Sequence, residues 1–176
     1  MLLNKNNFFF NSRQFYQNLN KTRKIFNFFK LDLKNFKIPP LQSYDKNYIS
    51  DFSPLMVKKF SRYNNIIIVG MGGSILGTKS IYSFFKEKIK KKVFFFDNLD
   101  INFNLQFKKI RNLKNSCFII VSKSGDTLET ITNLSVFFSK SLLKKKLIFI
   151  TELKDNCLMD MANRFDAEVI EYKDFI

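Results

Sequence analysis

The chain of 176 residues contains no run near the roughly 18 to 20 consecutive apolar residues that a membrane span requires, which argues against a membrane protein. Its start, M-L-L-N-K-N-N-F-F-F-N-S-R-Q, lacks the charged head, sustained apolar run and small-residue cleavage site of a secretory signal, so a cytoplasmic location is the expectation. There are two cysteines, Cys117 and Cys157, far apart and without C-x-x-C spacing; neither a disulfide framework nor a cysteine metal site is indicated. Each reads as a small buried hydrophobe, and neither a metal nor a cofactor is expected. Internal repeats and low-complexity linkers are missing. Histidine is absent altogether, and the five glycines and three prolines are few enough that three glycines crowded at 70, 72 and 73 stand out.

A hydrophobic content of 45% and an aromatic content of 16% place the chain among globular proteins long enough to bury a core. Lys plus Arg number 30 against 15 Asp plus Glu, a formal net charge of +15. Such a balance can mark a nucleic-acid binder. Here the basic residues are mostly lysines scattered among Asn, Ile and 23 Phe, the pattern of an A/T-rich coding bias. The tight clusters, K-E-K-I-K-K-K from Lys86 and K-K-K from Lys144, precede predicted strands, where they suit the negative ends of helices. No nucleic-acid partner is expected; a positive field also attracts a small anion.

Five short apolar runs read as strands: Ile66 to Val69, Val93 to Phe96, Cys117 to Val121, Leu147 to Ile150, and Ala167 to Tyr172. The first four are continuous rather than alternating, as in parallel strands covered by helices on both faces. Between them, Ile75, Leu76, Ile81, Phe84 and Phe85 form one helical stripe, Leu128, Ile131, Leu134 and Phe138 a second, and Leu158, Met161 and Phe165 a third. Ile101 to Leu113 is a weaker helix candidate. Repeated strand–helix–strand units imply an α/β three-layer sandwich around a five-stranded parallel sheet. Ahead of it, Phe15, Leu19, Phe26 and Phe29 predict a helix from about Ser12 to Lys30, broken by I-P-P at Ile38 to Pro40, and a second helix spans Pro54 to Tyr63. The expected organisation is a helical extension over 1–63 and the α/β domain over 64–176.

In an open parallel sheet ligands sit beyond the carboxyl ends of the strands, where strand order reverses, which singles out the loops after the first and third strands. The first is V-G-M-G-G-S-I-L-G-T-K-S, Val69 to Ser80. A dinucleotide fingerprint beginning at Gly70 needs a third glycine where Ile75 stands, and no Gly-Lys-Ser/Thr closes a Walker loop. Asp97 does stand about where a ribose-binding acid belongs, so a nicotinamide domain remains a third reading. Ser74 is placed either as a plain helix N-cap or as a cap that also meets an anion. The second loop is S-K-S-G-D-T-L-E-T, Ser122 to Thr130. Its hydroxyls, its lysine and the helix start complement a phosphate, which carries about −1.5 to −2 charge and three acceptor oxygens. The bland alternative is a capping box of Asp126 with Glu129.

At these residues the sequence resembles the phosphoglucose isomerase family, whose members are built from two sugar-isomerase (SIS) domains of flavodoxin-like topology. The resemblance rests on V-G-M-G-G-S-I-L-G, S-K-S-G-D-T-L-E-T and, more weakly, I-T-E-L-K-D-N-C-L-M-D-M-A-N-R-F from Ile150, and it runs from about Ser43 to the end. It implies that Gly73, Ser74, Ser122, Lys123, Ser124 and Thr127 bind the sugar phosphate and that Glu129 stands where the family has an acid near the substrate, a candidate catalytic residue. Asp126 departs from the threonine common there. The family interconverts glucose 6-phosphate and fructose 6-phosphate, in glycolysis and gluconeogenesis, through an enediol. It uses a glutamate base together with a histidine, an arginine and a lysine from downstream segments. This chain has no histidine and stops before those segments, so it is expected to hold sugar phosphate without turning it over alone. Family members often dimerise, which implies a homodimer. A stand-alone sugar-phosphate sensing module of the same fold is the alternative.

Overall fold

The computed structural model describes residues 12–35, 38, 41, 43, 46–49, 51–140 and 146–173. Pro39 and Pro40 of the expected break, and Lys144 and Lys145 of the second basic cluster, lie outside the described residues. The chain divides into two units, Met1–Tyr48 with Phe175–Ile176, and Ile49–Asp174, which are taken separately.

The first unit contains helix α1, Ser12–Lys34, which continues past the expected Lys30. Its apolar positions recur at helical spacing, and within the helix the Phe26 and Phe29 rings stack at 6.4 Å while the Lys30 ammonium lies 4.5 Å from the Phe26 ring.

The second unit is built on five strands: β1 Asn65–Gly70, β2 Lys92–Phe96, β3 Ser116–Val121, β4 Leu147–Thr151 and β5 Glu168–Glu171. All neighbours pair in parallel, in the order β2-β1-β3-β4-β5. Every run expected to be a strand is one. Period-two alternation divides each strand between two faces. On one face Ile67, Val69, Phe96, Phe118, Ile120, Leu147 and Phe149 are covered by α4 (Phe103–Lys108), α5 (Leu128–Lys140) and α6 (Cys157–Phe165), through Phe103, Leu134, Phe137, Leu158 and Ala162. On the other, Phe60 of α2 (Pro54–Ser61) and Tyr63 pack with Cys117 and Ile148, while Ile75 of α3 (Gly73–Phe85) packs with Ile68 and Val121. The result is the expected α/β three-layer sandwich.

Helix α3 turns its sequence stripe the other way. Of that stripe only Ile75 is buried; Leu76, Ile81 and Phe84 are 57%, 62% and 83% exposed. The face that meets the sheet runs through Ile75, Lys79 and Tyr82 instead, with the Tyr82 ring 5.6 Å from Phe95 and Lys79 paired with Asp97 just past the end of β2. An ion pair and a tyrosine occupy inward positions, so apolar count alone gives the wrong phase of the helix. The Ile101 to Leu113 segment divides into the two turns of α4 and a 3-10 turn at Leu113–Asn115.

Candidate functional site

Gly70, the last residue of β1, pairs with Val121, the last of β3. A Cβ on Gly70 would stand 2.9 Å from the Val121 carbonyl oxygen, so the two strands close up at their carboxyl ends only because residue 70 has no side chain. The loops that follow, Met71–Gly72 and Ser122–Thr127, therefore leave from one edge of the sheet at the point where strand order reverses.

The first loop is short. Gly72 takes φ 54°, which suits glycine, and caps α3 without any side-chain bond. The Ser74 N–H donates to Met71 O at 3.2 Å and the Ile75 N–H to Gly72 O at 3.1 Å, and among the described residues no acceptor meets the Gly73 N–H. Ser74 is thus the second helical residue rather than the N-cap expected of it. The helix starts earlier because a glycine at positive φ can turn the chain where a serine cannot.

In the second loop the Ser122 side chain is buried just beyond β3; its hydroxyl lies 2.8 Å from that of Thr127 and accepts the Gly125 N–H at 3.2 Å. Lys123 is half-buried, with its ammonium 5.8 Å from the centre of the Tyr172 ring, on the β5 side of the loop. Ser124 is exposed, and its hydroxyl accepts the Asp126 N–H. Glu129 is half-buried as the second residue of α5. The helix begins at Leu128, so Asp126 is not its cap and the alternative reading of the loop, a capping box of Asp126 with Glu129, does not hold. The Asp126 carboxylate instead accepts the Cys157 N–H of α6 at 2.9 Å.

That bond is one of several between this loop and the next. Gly125 O accepts the Leu158 N–H at 3.1 Å, and Lys123 O accepts the Glu152 N–H at 3.1 Å. Asn156, not among the residues expected to form the site, caps α6 by accepting the Met159 N–H at 2.9 Å. Gly125 takes φ 78°, and a Cβ there would fall 2.0 Å from the Asn156 Oδ1. An asparagine directly ahead of a helical run is an N-cap signal that could have been read.

The two helix starts are consequently unlike. In α6 the N–H groups of Cys157, Leu158 and Met159 all have acceptors. In α5 no described residue accepts from the N–H of Leu128, Glu129 or Thr130. Free amides at a helix start carry partial positive charge and point along the axis toward an incoming anion. Thr130 adds a buried side-chain oxygen, Oγ1, that finds no partner among the described residues. At the far side of β1, Asp97 is engaged by Lys79 beside a cleft of about 490 Å³ lined in part by Asn98, Asp100 and Gln106. A carboxylate held by a lysine is not poised to receive ribose hydroxyls.

The family model for phosphoglucose isomerase matches residues 54–156, more than half of the chain and both loops. The glucose-6-phosphate isomerase of Methanocaldococcus jannaschii is 39% identical over 98 residues, covering 53% of this chain and 24% of that protein. That of Borreliella burgdorferi strain ZS7 is 34% identical over 160 residues, covering 84% of this chain and 26% of the relative. The chain thus spans about a quarter of the length of these relatives. Among solved structures, the glucose-6-phosphate isomerase of Chlamydia trachomatis superposes with a TM-score of 0.59 at 25% identity, over 69% of this chain and 24% of that one. A hypothetical protein of Thermus thermophilus shares the fold, with a TM-score of 0.61 at 23% identity over 69% of this chain and 32% of its own.

Proposed function

Because the chain belongs to the phosphoglucose isomerase family, we propose that its two loops hold the phosphate of glucose 6-phosphate or fructose 6-phosphate. The observation that carries this reading is the open start of α5, whose first three amides have no acceptor among the described residues and follow directly on the segment that bears the hydroxyls of Ser122, Ser124 and Thr127. Such an arrangement complements a dianion by short charge-assisted hydrogen bonds. Lys123 adds a charge at the rim of the loop, and Gly73 with Ser74 forms the wall contributed by α3. In this reading Glu129, on the first turn of α5, is the candidate for proton exchange with the sugar carbons.

Calorimetric titration with fructose 6-phosphate tests the binding half. Saturable binding is expected, and Lys123→Ala or Ser124→Ala should weaken it about tenfold or more, the scale of one lost bond to a charged group. Unchanged affinity in both variants would place the phosphate elsewhere. Aldose–ketose conversion needs a ring-opening acid and base besides Glu129, and this chain offers no histidine for either role. A coupled assay on the 176-residue chain should accordingly show no conversion of glucose 6-phosphate above background, and robust turnover would refute that part.

A further inference from the structure

Strands β3 and β4 are parallel neighbours, so the helices that follow them, α5 and α6, both start at the carboxyl edge of the sheet. Each start carries roughly half a positive charge and would attract a dianion. What separates them is the loop between β3 and α5. Through Asp126 and Gly125 it covers the first two amides of α6, and Asn156 covers the third. Covering α6 places the Asp126 carboxylate, a like charge for any phosphate, on the amide of Cys157 rather than on the start of its own helix.

We propose that Asp126 is a positioning residue for the sugar phosphate: by accepting the Cys157 N–H it closes α6 to the anion and fixes the loop so that, of this pair of helices, α5 keeps the open start. This inference rests on the reading of the loop as a phosphate site. It makes the acceptor oxygen of residue 126, and not its charge, the group that matters. The loop is fastened at successive points, Lys123 O, Gly125 O and the Asp126 carboxylate, and the last fastening lies nearest to the amides of Leu128 to Thr130. Releasing it frees the peptide that leads into α5 and at the same time leaves the first amide of α6, that of Cys157, without its acceptor.

The test compares Asp126→Asn, which keeps an acceptor oxygen and removes the charge, with Asp126→Ala, which removes both. Fructose 6-phosphate and inorganic phosphate are titrated into each protein, and amide hydrogen exchange at residues 123–127 and at Cys157 is followed without ligand. Asp126→Asn should bind at least as tightly as the parent and leave exchange unchanged. Asp126→Ala should weaken binding about tenfold and speed exchange at Cys157 and through the loop. A purely structural cap would alter exchange and melting temperature while leaving affinity alone, and that result overturns the proposal. Equal losses in both variants also overturn it, since charge would then be the operative feature. If the parent binds neither ligand, the phosphate reading falls first and this inference with it; parent binding with an unaffected Asp126→Ala removes only the inference. Asp126 is exposed, and should Asp126→Ala nonetheless fail to fold, Asp126→Glu, whose longer arm carries the carboxylate past the Cys157 amide, should reproduce the weakening.

Discussion

Cys117 lies in β3 against Phe60, Tyr63 and Ile148, only 2% exposed. Burial pushes its thiol from 9.0 up to about 11, while the nearby positive charge of Lys91 pulls the other way. The charged form is the disfavoured one in the fold. Below about pH 9 the thiol is neutral folded or unfolded and its contribution is fully present. Between 9 and 11 the unfolded chain loses the proton first, so stability falls as pH rises through that window, by up to about 2 kcal/mol. Urea unfolding at pH 8, 9.5 and 11, run beside Cys117→Ala, should show a steeper alkaline loss in the parent than in the variant. Parallel slopes would mean that the thiolate is accommodated. Alkylation of native Cys117 at pH 8 should be correspondingly slow.

At the scale of the element, α5 carries both the proposed ligand site and an internal cost. Thr130 is 1% exposed, and among the described residues its hydroxyl has no partner. An unsatisfied buried hydroxyl costs about 1–3 kcal/mol, so Thr130→Val, nearly the same shape, should stabilise the protein by about 1 kcal/mol and raise the melting temperature by a few degrees. Calorimetric melting decides it, and a lower temperature would reveal a bound water or ligand as the missing partner. Elements were legible in the sequence to different depths. Strands were read nearly to the residue because β1, β3 and β4 are covered on both faces and so run apolar without a break. Helix existence was legible too, but not the phase of α3, where Lys79 and Tyr82 face inward. Capping is not legible locally: Ser74 is not the N-cap its position suggests, and the capping-box alternative at Asp126 does not hold. In one case a neighbouring glycine starts the helix; in the other the acceptor serves a helix 31 residues away, and no local pattern announces a bond of that span.

For the molecule as a whole, the decisive arrangement is the strand order, which the sequence does not display directly. It follows from right-handed crossovers once two loops are required at one edge. The same order separates the two faces of the sheet chemically. One is packed with rings, Phe96, Phe103, Phe107 and Phe118 all lying within 5.4 Å of Phe137, and the other mixes the aliphatic Ile68, Ile75 and Val121 with the separate ring pairs Phe60–Tyr63 and Tyr82–Phe95. A net charge of +15 surrounds this core and raises the local concentration of small anions, an effect that salt screens. The position of the two loops, each directly after a strand at the sheet's carboxyl edge, was legible from the apolar runs. Their fastening was not, because it is made by Gly125, Asp126 and Asn156, residues whose individual signals are those of an ordinary turn.

The bond between Asp126 and Cys157 also bears on the order in which the chain is made. During synthesis every residue of the S-K-S-G-D-T stretch has emerged, and β1 and β3 can pair, well before Cys157 exists to hold the loop. The motif is therefore spelled out 31 residues before it is fastened. A nascent chain halted in that interval carries the whole S-K-S-G-D-T stretch without the acceptor's partner at residue 157, so the proposed anion site is complete only with the first turn of α6.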